Sequence, residues 1–274
     1  MTNVKKFFYT HPVFRYETFA EFMTERGIVL PNSWRKSLQY HVNAGNIVLI
    51  RRGLYGVLNP MMDNKTAFYI DSFLVAGNAA EDSVLAYHTA LELHDIAYTT
   101  FETLTFLTHK YVRPFNFQSQ KYQAIHSPGV LLKKSEENFA VETIVRAGMA
   151  IKVTSIERTI VDVIDRPGIS GGWEEIWRSL EHLVTFNMSK LIDYLLLLDK
   201  ASIVAKVGFF LDTLTTARGI DKGALNQLLE YIPKQPCYLE RNKSKHGNLV
   251  KKWNLIVPDK ILNQTWEENY EVNV

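Results

Sequence analysis

Trp34, Leu38 and Val42 recur at four-residue spacing, with Arg35, Lys36, Gln39, Tyr40 and Asn43 between them. That spacing gathers the apolar side chains on one face of a helix, and His41 falls near it. The polar set falls on the opposite face. Ser33 suits an N-cap and Gly45 suits a stop just past the last turn. Asn46–Ile50 is rich in Val and Ile and reads as a strand. Arg51-Arg52-Gly53 supplies a turn with two adjacent arginines at its tip, and Leu54–Leu58 returns as the second strand of a hairpin. Upstream, Phe19, Phe22 and Met23 mark an amphipathic helix over 17–26 that ends at Gly27. Val13-Phe14 is either a short strand or a loop anchor. Helix, connection, helix and hairpin is the layout of a winged helix-turn-helix, in which the second helix enters the major groove and the wing touches the DNA backbone or minor groove.

Further on, Asn59-Pro60 is a turn signal, and residues 59–72 read as a linker running into a helix. The stretch 66–79 is apolar on one side, and Ser83–Leu93 reads as another helix. Thr103–Thr108 and Tyr122–His126 read as strands, with Arg113-Pro114 breaking the chain between them. Phe139–Val145 and Met149–Thr154 are two more strands around an Arg146-Ala147-Gly148 turn. Thr154 and Glu157 have the spacing of a capping box at the head of a helix over 154–165, where Arg158 and Asp162 sit four apart and can pair on the surface. Gly171-Gly172 reads as a flexible joint. Four helices follow, over 173–183, 189–198, 203–217 and 222–229. Strands return at 237–240 and 252–257, around a polar basic loop from Arg241 to Lys251, before an acidic tail. The expected architecture is therefore α+β: a winged helix-turn-helix over 1–60, then a larger mixed α/β domain over 61–274 with a helical-bundle portion.

Composition narrows the function. The chain has 274 residues, 46% of them hydrophobic, which is ample for a sizeable core. Its net charge is only +2, so affinity for nucleic acid has to come from a local patch. Such a patch exists: from Pro31 to Pro60 the charged residues are Arg35, Lys36, Arg51 and Arg52, with no Asp or Glu, whereas a solvated face normally mixes signs. Arg and Lys suit phosphates and guanine edges, and Gln and Asn suit adenine edges. The candidate DNA-contacting residues are Ser33, Arg35, Lys36, Gln39, Tyr40, Asn43, Arg51, Arg52 and Tyr55. Cys237 is the single cysteine, which excludes an intrachain disulfide and fits a reducing, cytoplasmic setting. The N-terminus lacks the apolar core of a signal peptide, and no run approaches the length of a membrane span.

Phosphate-binding, dinucleotide-binding, zinc-protease and serine-hydrolase motifs are all missing. His88 and His94, six apart, have the wrong spacing for two ligands on one helix face and read as hydrogen-bonded structural residues. Glu157 and Asp162, five apart, point in different directions. No catalytic residue, metal or cofactor is expected. The alternative is an α/β enzyme, such as a nuclease-like protein, tethered to DNA by the winged helix. It would need clustered acids with a lysine on adjacent strands, and these strands are poor in acids.

The run Ala44-Gly-Asn-Ile-Val-Leu-Ile-Arg-Arg-Gly-Leu-Tyr55 resembles the wing of AbiEi-family antitoxins, the repressor components of type IV toxin–antitoxin systems of abortive infection. Three further segments are similar to that family: Ala86–Leu91, Thr154–Asp162 with its Ser-x-Glu-Arg-Thr-x-x-Asp run, and the Gly-Gly-Trp-Glu-Glu joint at 171–175. The resemblance implies an N-terminal winged helix that represses its own operon by binding inverted repeats in double-stranded DNA. It also implies a C-terminal domain that counteracts a nucleotidyltransferase toxin without a stable complex. The family wing usually has an Arg where this chain has Val48-Leu49, so the cationic duty falls on Arg51 and Arg52.

Overall fold

In the structure, a computed structural model, residues 3–58, 69–181, 183, 185–218, 222–240 and 247–266 are described. Residues 59–68 of the linker expected over 59–72, most of the basic loop and the acidic tail lie outside them. The chain is mixed α+β, with helices and, among the described residues, three separate sheets. It divides into two compact units. One comprises Met1–Leu85, Glu102–His126 and Glu142–Val153, and the other Ala86–Phe101, Ser127–Val141 and Thr154–Val274.

The first unit opens with α1 (Asn3–Thr10), β1 (Val13–Arg15), α2 (Tyr16–Thr24), α3 (Pro31–Asn43), β2 (Ile47–Arg51) and β3 (Leu54–Val57). The strands form an antiparallel sheet in the order β1-β3-β2. Phe7, Phe8, Phe14, Phe19, Met23, Leu38 and Ile47 make its core, with Trp34 and Val42 packed against them. The spacing of Trp34, Leu38 and Val42 is thus spent as expected. Two details differ. Helix α3 starts two residues before Ser33: Leu30 is the N-cap without a side-chain bond, and Pro31 occupies the first turn, where its preset φ and missing N–H cost nothing. The hairpin turn is also tighter. Arg51 belongs to β2, beyond a register shift after Leu49, and the turn is Arg52-Gly53 with Gly53 at φ +82°. Helix α1 is not among the expected elements, although Val4, Phe7 and Phe8 stand three and four residues apart and pack into this core.

The unit continues with α4 (Ser72–Gly77), capped by Asp71 Oδ1, which accepts from the Phe73 and Leu74 amides at 2.9 and 3.2 Å. Then comes a six-stranded sheet in the order β6-β7-β5-β4-β9-β8. Its strands are β4 (Val84–Leu85), β5 (Thr103–Thr108), β6 (Phe115–Phe117), β7 (Gln120–His126), β8 (Val141–Arg146) and β9 (Met149–Thr154). β4 pairs antiparallel with β5 and parallel with β9. Ser83–Leu93 is therefore not one helix. Val84 and Leu85 are sheet residues, and α5 (His88–Leu93) begins only after Tyr87, which sits at φ +58° and forces the break.

In the second unit, α5, α6 (Gly129–Lys134), α7 (Ile156–Asp165), α8 (Gly172–Glu181), α9 (Met188–Leu198), α10 (Ala201–Arg218) and α11 (Lys222–Gln227) form the helical portion. A third sheet, β10-β12-β11, joins β10 (Cys237–Tyr238), β11 (Gly247–Val250) and β12 (Leu255–Pro258), ahead of α12 (Asp259–Leu262). Residues 247–250 are a strand rather than loop, and β12 begins only after a 3-10 turn at Lys251–Trp253.

No capping box forms on α7. Ser155 is its N-cap without a side-chain cap bond, while Thr154 Oγ1 bonds Thr159 Oγ1 at 2.8 Å. The Arg158–Asp162 pair is in the core, not on the surface. Gly171, at φ +90°, is no loose joint either: a Cβ there would stand 2.6 Å from both Glu175 Cγ and Phe101 Cζ.

Candidate nucleic-acid interface

The outer face of α3 carries Arg35, Lys36, Gln39, Tyr40 and Asn43, all exposed, because Trp34, Leu38 and Val42 claim the opposite face. Arg35, Lys36 and Arg52 have no ion-pair partner among the described residues, so their charge faces solvent unspent. Tyr40 is 66% exposed. Gln39 Nε2 donates to Asn43 Oδ1 at 2.8 Å, so these two amides are joined along one ridge. Ser33 is half-buried in the first turn, where its amide donates to Leu30 O.

A groove of about 830 Å³ lies between this helix and the hairpin, bordered by Arg35, Gln39, Leu49, Arg52 and Tyr55. Tyr55 forms its floor, half-buried and stacked on Phe14 with centroids 5.5 Å apart. Burial raises the Tyr55 pKa, helped by Tyr16 and Glu17. Glu17 also lines the groove, so the acid-free stretch of sequence meets one carboxylate in space. Leu49 is 50% exposed at the hairpin. His41 is half-buried on α3: Asn46 Nδ2 donates to its Nδ1 at 3.1 Å, and burial lowers its pKa.

Arg51 and Arg52 part company. Arg52 is exposed at the turn, whereas Arg51 is half-buried with its guanidinium 5.0 Å from the Phe115 ring centroid. Its Nη1 is buried without a hydrogen-bond partner, and burial lowers its pKa. The candidate residues thus fall into an exposed group and three that are half-buried, Ser33, Arg51 and Tyr55. Arg15 and Lys110, cations on the far side of the hairpin, gave no signal, because nothing in their local sequence places them beside Arg52.

The other three singled-out segments meet in the second unit as a buried polar core. His88 Nδ1 lies 2.9 Å from Glu92 Oε1 and its Nε2 3.0 Å from Glu175 Oε1, while its ring stacks on Phe101 at 3.5 Å. Thr99 donates to Glu175 from both its amide and its hydroxyl, at 3.0 and 2.8 Å. Burial pushes the Glu175 carboxyl up, but these bonds and the His88 contact outweigh it and hold its pKa low. Arg158 Nη1 donates to the Glu137 and Phe139 carbonyls at 3.0 and 2.8 Å, and its Nε lies 3.5 Å from Asp162 Oδ2, near enough for ion pairing but not for a hydrogen bond. Tyr194 completes the cluster by donating to Asp162 Oδ1 at 2.8 Å. His94 Nε2 bonds Thr154 O at 2.7 Å. Both histidines are held within the fold as expected. Among the described residues, no group of three or more His, Cys, Asp or Glu could hold a metal ion, and no helix is long and apolar enough to cross a membrane.

No family model matches the sequence, and no curated protein does. Among solved structures, the chain is similar to the crystal structure of the RV2827C protein from Mycobacterium tuberculosis, with a TM-score of 0.60 and 14% sequence identity, over 97% of this chain and 94% of that one. At that identity the likeness is one of fold.

Proposed function

We propose that this protein is a DNA-binding autorepressor and antitoxin, and that residues 1–60 act as its winged helix-turn-helix. The observation that carries the reading is the exposed face of α3. Unpaired cations, two linked amides and a tyrosine line one ridge, and the groove beside it ends at the exposed Arg52. Arg35, Lys36 and Arg52 contact phosphates, and Gln39 and Asn43 read base edges in the major groove. The partner is double-stranded operator DNA with inverted repeats. The resemblance of the wing and of the segments at 86–91, 154–162 and 171–175 to AbiEi antitoxins supports the second role, neutralisation of a nucleotidyltransferase toxin without a stable complex. The convergence of those segments in one unit fits a module separate from the reading helix.

The test is a fluorescence-anisotropy titration of the full chain against a duplex from its own promoter, between about 50 and 200 mM salt. With several phosphate contacts, log K falls linearly with log salt. Absent binding, or binding indifferent to salt, would sink the DNA reading. Growth rescue on co-expression with a nucleotidyltransferase encoded beside it tests the antitoxin role.

A further inference from the structure

Behind the hairpin, on the side away from α3, the first unit contains a second cleft of about 340 Å³. Arg15, Arg51 and Arg52 line one side, and Lys110 and Tyr111, from the loop after β5, line the other. Two carboxylates, Glu17 and Glu81, also face it, but Glu81 is already bonded to Lys110 at 2.5 Å. Arg15, Arg51 and Arg52 have no ion-pair partner among the described residues. Arg51 adds positive charge to the cleft wall but no free donor. The Phe115 ring fixes its guanidinium, and its buried Nη1 lacks a hydrogen-bond partner. That nitrogen is closed to solvent and so to a ligand, and Lys110 is held by Glu81, which leaves Arg15 and Arg52 as the cations able to take an anion in the cleft. The volume is far too small for a duplex and falls within the range of small-ligand sites. Tyr111 is 78% exposed at the rim and offers a flat ring on which a base can stack.

We propose that this cleft binds a phosphate-bearing small molecule of the nucleoside phosphate class, and that its occupant competes with DNA for Arg52. Arg52 and Gly53 border both this cleft and the groove beside α3, so one guanidinium serves two sites. Linkage then requires that ligand weaken DNA binding and DNA weaken ligand binding by the same factor. The competition rests on the DNA-binding reading; the site itself does not.

The experiment is isothermal titration of the full chain, without DNA, using ATP and separately inorganic phosphate. A saturable isotherm with ATP is expected. Arg15→Ala should weaken it roughly tenfold by removing a charge-assisted contact. Tyr111→Ala should weaken ATP by a similar factor, roughly, and leave inorganic phosphate unchanged, because only the base stacks. The exposure of Tyr111 lets that variant keep its fold, which a thermal melt verifies. ATP that fails to saturate, or that binds both variants as it binds the native chain, overturns the site. A separate arm titrates an unrelated short duplex. If the two substitutions lower its salt slope while ATP gives no isotherm, the phosphates recognised belong to the polymer and the proposal is wrong. In the last arm, ATP at matched ionic strength should raise the operator Kd of the native chain and have less effect on Tyr111→Ala. An unchanged Kd removes the competition. A chain that binds ATP but no duplex keeps the site and refutes the DNA-binding reading instead.

Discussion

The Arg51 guanidinium lies 5.0 Å from the centroid of the Phe115 ring, so the hairpin is fastened to a strand of the six-stranded sheet through a cation and an aromatic face. Its neighbour Arg52 is free at the turn. Two adjacent arginines therefore have different duties. If residues 1–60 bind DNA as proposed, Arg52→Ala should reduce the log–log salt slope of binding by about one unit, the loss of one phosphate contact, and leave the melting temperature alone. Arg51→Met keeps apolar packing on Phe115 and removes a buried, unpartnered N–H, so its melting temperature should be no lower than that of the native chain. Salt-dependent anisotropy and a thermal melt check both. A larger slope change for Arg51→Met than for Arg52→Ala would contradict this division.

Gln39 and Asn43 are hydrogen-bonded to each other, so on the proposed DNA-binding reading neither amide acts independently. Each single alanine variant should lose roughly 1–3 kcal/mol of discrimination between operator and unrelated DNA. The double variant should lose less than the two losses added together, because each side chain orients the other. A double-mutant cycle on the specific-to-nonspecific affinity ratio measures this. Strict additivity would mean that the pair breaks apart on DNA.

Arg158 and Asp162 are both buried, and removing one leaves the other charged in the core. Burial pushes the Asp162 carboxyl above the usual carboxylate range, though Arg158 and the Tyr194 hydroxyl oppose it. Arg158→Met should therefore cost about 3–5 kcal/mol in urea unfolding. Arg158→Met combined with Asp162→Leu should recover much of that loss. A double variant as unstable as the single one would show that the Arg158 bonds to Glu137 and Phe139, not the charge pair, dominate.

Glu175 gives a pH dependence with a definite sign. Its folded pKa is depressed below the ordinary value of 4.5, so its contribution is present above that pH and is lost as pH falls through the folded value. Glu175→Gln should be less stable than the native chain at neutral pH, and the gap should close below about pH 4.5. Unfolding midpoints from pH 7 to 3 follow the gap. A constant difference across that range would assign the effect to packing instead.

Cutting before residue 69 removes the β1-β3-β2 sheet and its phenylalanine core but retains all six strands of the larger sheet and the whole second unit. On the proposed reading, the fragment 69–274 should melt cooperatively, rescue growth against a co-expressed nucleotidyltransferase and fail to bind a duplex from its own promoter. A fragment that melts cooperatively yet does not rescue, where the full chain does, would place part of the proposed antitoxin activity before residue 69.

Elements with long, regular spacing were legible in the sequence: α3 from Trp34, Leu38 and Val42, β5 and β9 from their β-branched runs, and helices α7 to α10 from apolar recurrence. What failed to show was set by distant partners. Val84 and Leu85 read as part of a helix because two apolar residues have no period of their own. Only pairing with β5 and β9 makes them a strand. Arg158 looked like a surface residue because arginine usually is one, and the carbonyls that accept from it lie about twenty positions upstream. At the candidate site, the exposed face of α3 could be read directly. The burial of Arg51 could not, because Phe115 reaches it from another sheet.

The order in which the strands of the large sheet occur along the chain also matters while the protein is being made. β4 ends at Leu85, and its parallel neighbour β9 extends to Thr154. At ordinary elongation rates the ribosome takes roughly 3–14 s to cover that interval. The small N-terminal sheet and its helices have their strands complete by Val57 and can close early. Throughout the interval, by contrast, β4 presents an unpaired backbone edge to whatever is nearby, including nascent copies on the same message. Slow codons placed between these two strands would lengthen that exposure and lower the soluble yield.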